Sequence, residues 1–129
     1  PWDLVYWNGD LVVTEVDNGD LRCVTLAGVV TDLTPPVSLD QPQGIAADAS
    51  GTLYITEWGT HHDVVKLHGS TLSLVAGSTV GYSDSDDVHA AQFYGVEGLD
   101  VSADGKRVVV ADGNHGDGMA FNHIRVIHQ

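Results

Sequence analysis

The chain is predicted to be all-β, an array of small antiparallel sheets, and three observations carry that prediction. One phrase recurs: a glycine or Asn-Gly turn, an apolar strand ending in an acidic residue, a loop, and a second apolar strand. It runs from Asn8 to Val24, from Ser50 to Leu67 and from Asp104 to Ile127. The acidic strand ends match as Val12-Val13-Thr14-Glu15, Tyr54-Ile55-Thr56-Glu57 and Val109-Val110-Ala111-Asp112. The following strands align in columns, Leu21 with Val64 and Ile124, and Val24 with Leu67 and Ile127. Finally, similar strand pairs return every roughly 40 to 55 residues, the period of propeller blades or a related array, because one such sheet cannot bury both its faces alone.

Taken in order, Leu4 to Trp7 reads as a first strand and Asn8-Gly9 as a tight turn into Leu11 to Val16. Asn-Gly between two apolar runs is a strong hairpin signal, since both residues tolerate positive φ. Asp17-Asn18-Gly19-Asp20 turns into Leu21 to Leu26, and Ala27-Gly28 leads into Val29 to Leu33. Thr34-Pro35-Pro36 stops this four-stranded meander, because proline supplies no ladder donor and restricts its predecessor. The second unit repeats the plan with Gly44 to Asp48, Leu53 to Glu57, Val64 to His68 and Thr71 to Ala76. The third supplies Gly98 to Ser102, Arg107 to Asp112 and His123 to His128, and lacks a fourth strand. An exposed edge is expected there, and such edges are normally paired, covered or closed. The predicted blades are 1–36, 42–78 and 95–129 of a single segment, with 79–94 an insertion that includes a short helical turn at Val88 to Phe93.

With 5 Lys plus Arg against 18 Asp plus Glu, the net charge is −13. That field repels phosphate backbones and anionic lipid, so nucleic-acid binding is not expected and cationic or basic partners are favoured. No apolar run approaches the roughly 20 residues that cross a bilayer, and no signal peptide is expected at the N-terminus. Lacking an initiator methionine, the chain reads as processed, trimmed or a piece of something longer. Lone Cys23 cannot form an internal disulfide and reads as a buried, inert thiol. Acidity and scarce lysine lean towards an extracellular or cell-surface setting.

A resemblance rests on Leu74-Val75-Ala76-Gly77-Ser78, Gly81, Asp84, Ala91-Gln92-Phe93, Gly98-Leu99-Asp100-Val101, Val110-Ala111-Asp112 and Asn122-His123-Ile124-Arg125-Val126-Ile127. Together these residues resemble the NHL repeat, which is named for an Asn-His-Leu segment and builds blades of mostly six-bladed β-propellers. The likeness covers the chain as three repeats, about half of such a ring. It departs where Val96 replaces a proline, where Gly19 replaces the histidine of the first repeat, and where a long loop displaces Asn122-His123. The resemblance implies protein-binding or RNA-binding platforms, sensor modules or, in a few relatives, enzymes that include a metal-dependent lyase. Fold alone does not choose among these.

The candidate site residues lie at strand ends and in two insertions, where loops carry function. Trp58, Tyr82 and Phe121 are recognition anchors by type, joined by His61, His62, Asn114 and His115 as rim binding residues. His61, His62, His115 and Asp117 would suit Zn²⁺ if the loops share one rim, although adjacent histidines on extended chain point apart. Asp84, Asp86 and Asp87 offer hard oxygens to Ca²⁺, but without the glycine and later glutamate of an EF-hand loop. Their alternative role is capping of the short helical turn by Asp86 or Asp87. The repeated acids Glu15, Glu57 and Asp112 read as structural, paired with loop amides or with Arg22 and Arg125 as cations of the first and third units. No nucleophile turn supports a Ser/His/Asp order.

Half a ring exposes apolar faces at both ends, worth roughly 25 cal/mol per Å² when buried. Further blades of a parent chain, a second copy closing a ring, or an open head-to-tail filament would each cover them, the ring being favoured. The expected function is therefore a non-enzymatic binding or assembly module with an acidic rim for protein, peptide or cationic partners. The alternative is a metal-dependent lyase or hydrolase using the rim histidines.

Overall fold

The computed structural model describes residues 1–33, 37–113, 118, 120 and 122–129, which form eleven strands and no helix. The first sheet holds β1 (Leu4–Trp7), β2 (Asp10–Glu15), β3 (Asp20–Val24) and β4 (Val30–Asp32) in sequence order. The second holds β5 (Pro42–Ala47), β6 (Leu53–Glu57), β7 (Asp63–His68) and β8 (Thr71–Ala76). The third holds β9 (Val96–Val101), β10 (Arg107–Asp112) and β11 (His123–His128), with β11 at its edge and no fourth strand among the described residues. Every pairing is antiparallel, as short turns between neighbours require. Asn8 at φ 51° and Gly9 at φ 94° make the first hairpin as expected. The Pro35-Pro36 stop lies outside the described residues.

Two apolar cores separate the three sheets. Between the first and second lie Val12, Leu21, Leu33, Leu39, Ile45, Leu53, Ile55, Val65 and Leu67. Between the second and third lie Tyr54, Val64, Val75, Phe93, Val96, Val108, Val110 and Ile127. β6 divides its side chains between the two, Leu53 and Ile55 to one and Tyr54 to the other, and is buried along its whole length. A strand covered on both faces loses the in-out alternation seen in β10, where Val108 and Val110 are buried and Val109 is 39% exposed. Full burial of a side chain such as Ile55 contributes about 2 to 3 kcal/mol.

A repeated hydroxyl joins the sheets. In the first, Thr14 Oγ1 accepts the Asp3 N–H at 3.0 Å and donates to the Gln43 carbonyl on β5 at 2.7 Å. In the second, Thr56 Oγ1 accepts the Gly44 N–H at 2.8 Å and donates to the Glu97 carbonyl on β9. The sheets approach so closely that a Cβ on Gly44 would lie 2.4 Å from the Glu97 carbonyl oxygen. The same column in the third sheet holds Ala111, and Gly98, the counterpart of Gly44, has nothing within 4 Å of a built Cβ.

One local expectation holds in part and one is corrected. A single helical turn forms at the start of Val88 to Phe93, where the Asp87 carbonyl accepts the Ala90 and Ala91 amides at 2.9 and 3.1 Å, and the chain then bends back. A short parallel bridge between Val80 and Phe93 follows it and folds the insertion on itself. Cys23 is half-buried, with Sγ 3.9 Å from the Asp10 carboxylate, because β3 lies towards the outside of its sheet.

Candidate binding rim

The loops β6–β7 and β4–β5 meet at one end of the second sheet, and they bring together carboxylates that the sequence spaces widely. Strand register sets Glu57 directly opposite Asp63. Glu57 is 8% exposed, and its Oε1 accepts the Asp40 N–H at 2.5 Å. Burial first, then repulsion from Asp63 and Asp40, pushes the Glu57 carboxyl up to about 7. Asp63 is raised by burial as well, and one of its buried oxygens has no hydrogen-bond partner among the described residues. Asp40 is held below the usual carboxylate range by the Thr60 amide, whose N–H it accepts. Gly59 packs closely beside it: a Cβ there would lie 2.0 Å from the Asp40 carboxylate, which would have to move.

Trp58 and His62 stack over this pair of loops with ring centroids 5.6 Å apart. His62 is 8% exposed with φ 50°, and its Nδ1 has no hydrogen-bond partner among the described residues. His61 is exposed and its Nδ1 lies 3.0 Å from the Ser78 carbonyl. The two histidines therefore diverge, one inward and one outward, although His62 sits in the left-handed region rather than on extended chain. Gly19 holds the place of His62 in the first sheet: at φ 68°, its Cβ would meet the Leu39 carbonyl at 2.4 Å, which leaves room only for glycine.

The second cluster centres on Arg125 of β11. Its side chain is 12% exposed and donates to Asp112 Oδ2 at 2.9 Å, to Asp84 Oδ1 at 2.5 Å and to the Gln92 carbonyl at 3.0 Å. The guanidinium carbon lies 5.0 Å from the Phe93 ring centroid. Asp112, itself buried, also accepts the Tyr94 and Gly95 amides at 2.8 Å each. Arg125 is thus the cation of the third unit, as expected. Arg22 is not the cation of Glu15: register places it opposite Val13 and Asp32, and it pairs with Asp32.

A groove of about 790 Å³ opens beside this cluster, lined by β11, by Tyr82, Asp84, Ser85, Asp86 and Val88 of the insertion, and by Phe93 and Ala76. Tyr82 is 49% exposed and stacks on Tyr94 at 5.4 Å. Asp86 and Asp87 point to solvent, and Asp87 accepts the His89 amide at 2.9 Å, which makes it the cap of the turn. Among the described residues no three His, Cys, Asp or Glu side chains gather to hold a metal ion. Asn114, His115, Asp117 and Phe121 lie outside the described residues.

No family model matches the chain, and no curated protein does. Solved structures do. A structural genomics protein of unknown function from Bacteroides thetaiotaomicron superposes with a TM-score of 0.78 at 17% identity, over 97% of this chain and 34% of its own. Kuenenia stuttgartiensis hydrazine synthase gives 0.66 at 19% identity, over 100% and 32%. A catalytically inactive virginiamycin B lyase from Staphylococcus aureus with quinupristin gives 0.64 at 17%, over 99% and 37%. The three sheets are β-propeller blades. The chain spans about a third of each of these proteins, and the likeness is one of fold.

Of the residues singled out from sequence, Trp58, His61 and His62 lie at the first cluster, and Tyr82, Asp84 and Asp86 line the groove beside the second. Asp63 and Asp40 were not among them. The hairpin register that opposes Glu57 and Asp63 was a usable signal. For Asp40 there was none, since its partners are about twenty residues away in the chain.

Proposed function

We propose that this chain is a non-enzymatic binding and assembly module of NHL-type propeller blades, which acts by burying its two open sheet faces against further blades and presents an acidic rim to protein or cationic partners. The observation that carries the reading is the contrast between inner and outer faces. Trp2, Leu4 and Tyr6 are 53%, 56% and 63% exposed on the outer side of the first sheet, and Ile124 and Val126 are 71% and 51% exposed on the third. At the interfaces that do form, the positions equivalent to Leu4 and Ile124 are Ile45 and Val64, 4% and 0% exposed. Apolar patches on this scale mark interaction surfaces.

The further blades come from a longer chain or from a second copy, which closes a ring, and an open head-to-tail contact would instead propagate. Light scattering on the purified chain tests the reading. A compact dimer, or long particles, supports self-assembly, and loss of either on Ile124→Lys with Val126→Lys assigns it to the third sheet. A well-behaved monomer at high concentration, with no partner capture by either face, would overturn it.

A further inference from the structure

We propose that the rim formed by the β2–β3, β4–β5, β6–β7 and β8–β9 loops docks a lysine- or arginine-bearing segment of another protein, anchored on Asp40, Asp63 and Trp58 of the second blade. This rests on reading the chain as a binding module, but it uses loops inside the chain, whereas assembly uses the outer sheet faces.

Hydrogen bonds between sheets fix which loops share an end. At one end Thr14 reaches the Gln43 carbonyl, Thr56 the Glu97 carbonyl and the Leu39 amide the Gly19 carbonyl. At the other, Trp7 Nε1 donates to the Gly51 carbonyl at 2.8 Å and the Ala49 amide to the Ala103 carbonyl at 2.9 Å. Lys66, Lys106 and Arg107 lie towards this second end and offset most of its acids, Asp10, Asp48, Asp100 and Asp104. The first end carries Asp17, Asp20, Asp40, Asp63, Asp84 and Asp86 on its loops, besides the acids at the strand ends. Its two arginines are spent, Arg22 on Asp32 and Arg125 on Asp112 and Asp84. Among the described residues the negative charge therefore gathers at one rim, and such a field draws a cationic partner.

Charge alone makes no site, and the second blade supplies the anchor. In the third blade Arg125 stands opposite Val110, its guanidinium against Asp112 with the Phe93 ring 5.0 Å away. Arg22 holds the same register position in the first blade, opposite Val13. In the second that position is Val65, opposite Ile55, and no Lys or Arg among the described residues pairs with Glu57 or Asp63. The other parts of the arrangement are present: exposed Asp40, half-buried Asp63, and the half-buried Trp58 ring beside His62. Two buried polar atoms here have no partner among the described residues, Asp63 Oδ1 and His62 Nδ1. His62 is 8% exposed and lies within electrostatic reach of Asp40 and Asp63. Buried polar groups are as a rule bonded. An ammonium or guanidinium brings several donors at once, and an aromatic face adds cation–π attraction. A partner's lysine or arginine would thus supply from outside what Arg125 supplies within the third blade. A second copy is a poor source, because two chains of charge −13 repel and the end that carries Lys66, Lys106 and Arg107 is not itself positive.

The test titrates the isotope-labelled full chain with an octapeptide of alternating lysine and serine, followed by heteronuclear NMR, with an octapeptide of alternating glutamate and serine as control. Saturable binding that weakens with added salt is expected, with the largest shifts at the Trp58 indole and the amides of Thr60 to Asp63. Asp40→Asn, whose amide oxygen still accepts the Thr60 N–H, should weaken binding about fivefold. Trp58→Ala should weaken it about threefold. Asp104→Asn, at an exposed side chain of the opposite end, should leave it unchanged. Cross-peaks of the other blades that stay in place show each variant to be folded. No saturable binding of the lysine peptide, equal binding of the acidic one, shifts spread over both ends, or an Asp104→Asn loss equal to that of Asp40→Asn would each overturn the proposal. Any of these would leave assembly untouched, because solution mass is read without peptide.

Discussion

Replacing Glu57 by glutamine should make the rim of the second blade insensitive to pH across the interval in which the wild type weakens. Glu57 is 8% exposed and faces Asp63 directly across the strands. Its carboxyl is moved from 4.5 to about 7, by burial above all and then by the neighbouring acids. At 1.36 kcal/mol per unit, the ceiling is about 3 kcal/mol. Asp63 is only half-buried, so water screens the pair and about 1 to 3 kcal/mol is expected. The sign follows from proton binding: the folded chain holds this proton more tightly than the unfolded one. The contribution is complete below about pH 4.5 and is lost as pH rises through about 7. The amide introduced by Glu57→Gln cannot ionise, and its oxygen still accepts the Asp40 N–H. Urea unfolding followed by tryptophan fluorescence, at pH 5 and pH 8, gives the stability gap between the two proteins with all other carboxylates in common. The gap should widen towards the variant by about 1 to 3 kcal/mol at pH 8. A gap that is constant, or that closes with rising pH, refutes the raised Glu57 carboxyl.

Arg125→Met should cost about 3 kcal/mol, because it leaves the Asp112 carboxylate, 1% exposed, without its cation. Thermal unfolding checks this, and Asp112→Asn added to it should restore part of the loss. Thr56→Val should cost about 1 to 3 kcal/mol by stranding the Glu97 carbonyl and the Gly44 amide, with little change in side-chain volume. Amide exchange at Gly44 should accelerate in that variant. Gly44→Ala should destabilise by at least about 1 kcal/mol, since its methyl meets backbone that belongs to the next blade, whereas Gly98→Ala should be close to neutral. Denaturant midpoints of the two alanine variants make that comparison.

The strands were legible because period-two alternation and Gly-bearing turns are local signals. β1, β6, β8, β10 and β11 fall on the expected residues, and the others differ by a few positions at an end. β9 begins at Val96 rather than Gly98 because Tyr94 and Gly95 are tied to Asp112, which extends the pairing back towards the insertion. The site was less legible, for reasons of distance. Glu57 read as one of three equivalent structural acids, and the acid opposite it was visible only through register. The Arg125 cluster joins residues from 84 to 125, and no spacing in the chain announces that Phe93 will lie under a guanidinium. Arg22 shows the opposite failure: proximity to Glu15 in sequence suggested a pair that strand pairing forbids.

Ala111 offers a test of how the open face of the third blade is used. In the first two blades the equivalent threonine accepts an amide from its own inner strand and donates to a carbonyl of the next. Ala111 cannot do either, while Gly98 beside it keeps open the space that Gly44 fills against its neighbour. If a further blade packs on this face as the inner blades pack, Ala111→Thr supplies the missing hydroxyl at a position shaped for it. One added hydrogen bond is worth about 0.5 to 1.5 kcal/mol, which corresponds to about two- to twelvefold tighter association. The isolated chain should unfold with an unchanged midpoint at low concentration, where no partner is bound, and the gain should appear only in the assembled mass by light scattering. Tighter association with unchanged monomer stability would mean that the outer face repeats inner-face geometry. An unchanged or weaker association would mean that whatever covers Ile124 and Val126 meets them in some other register, and the blade-upon-blade account of assembly would have to be abandoned.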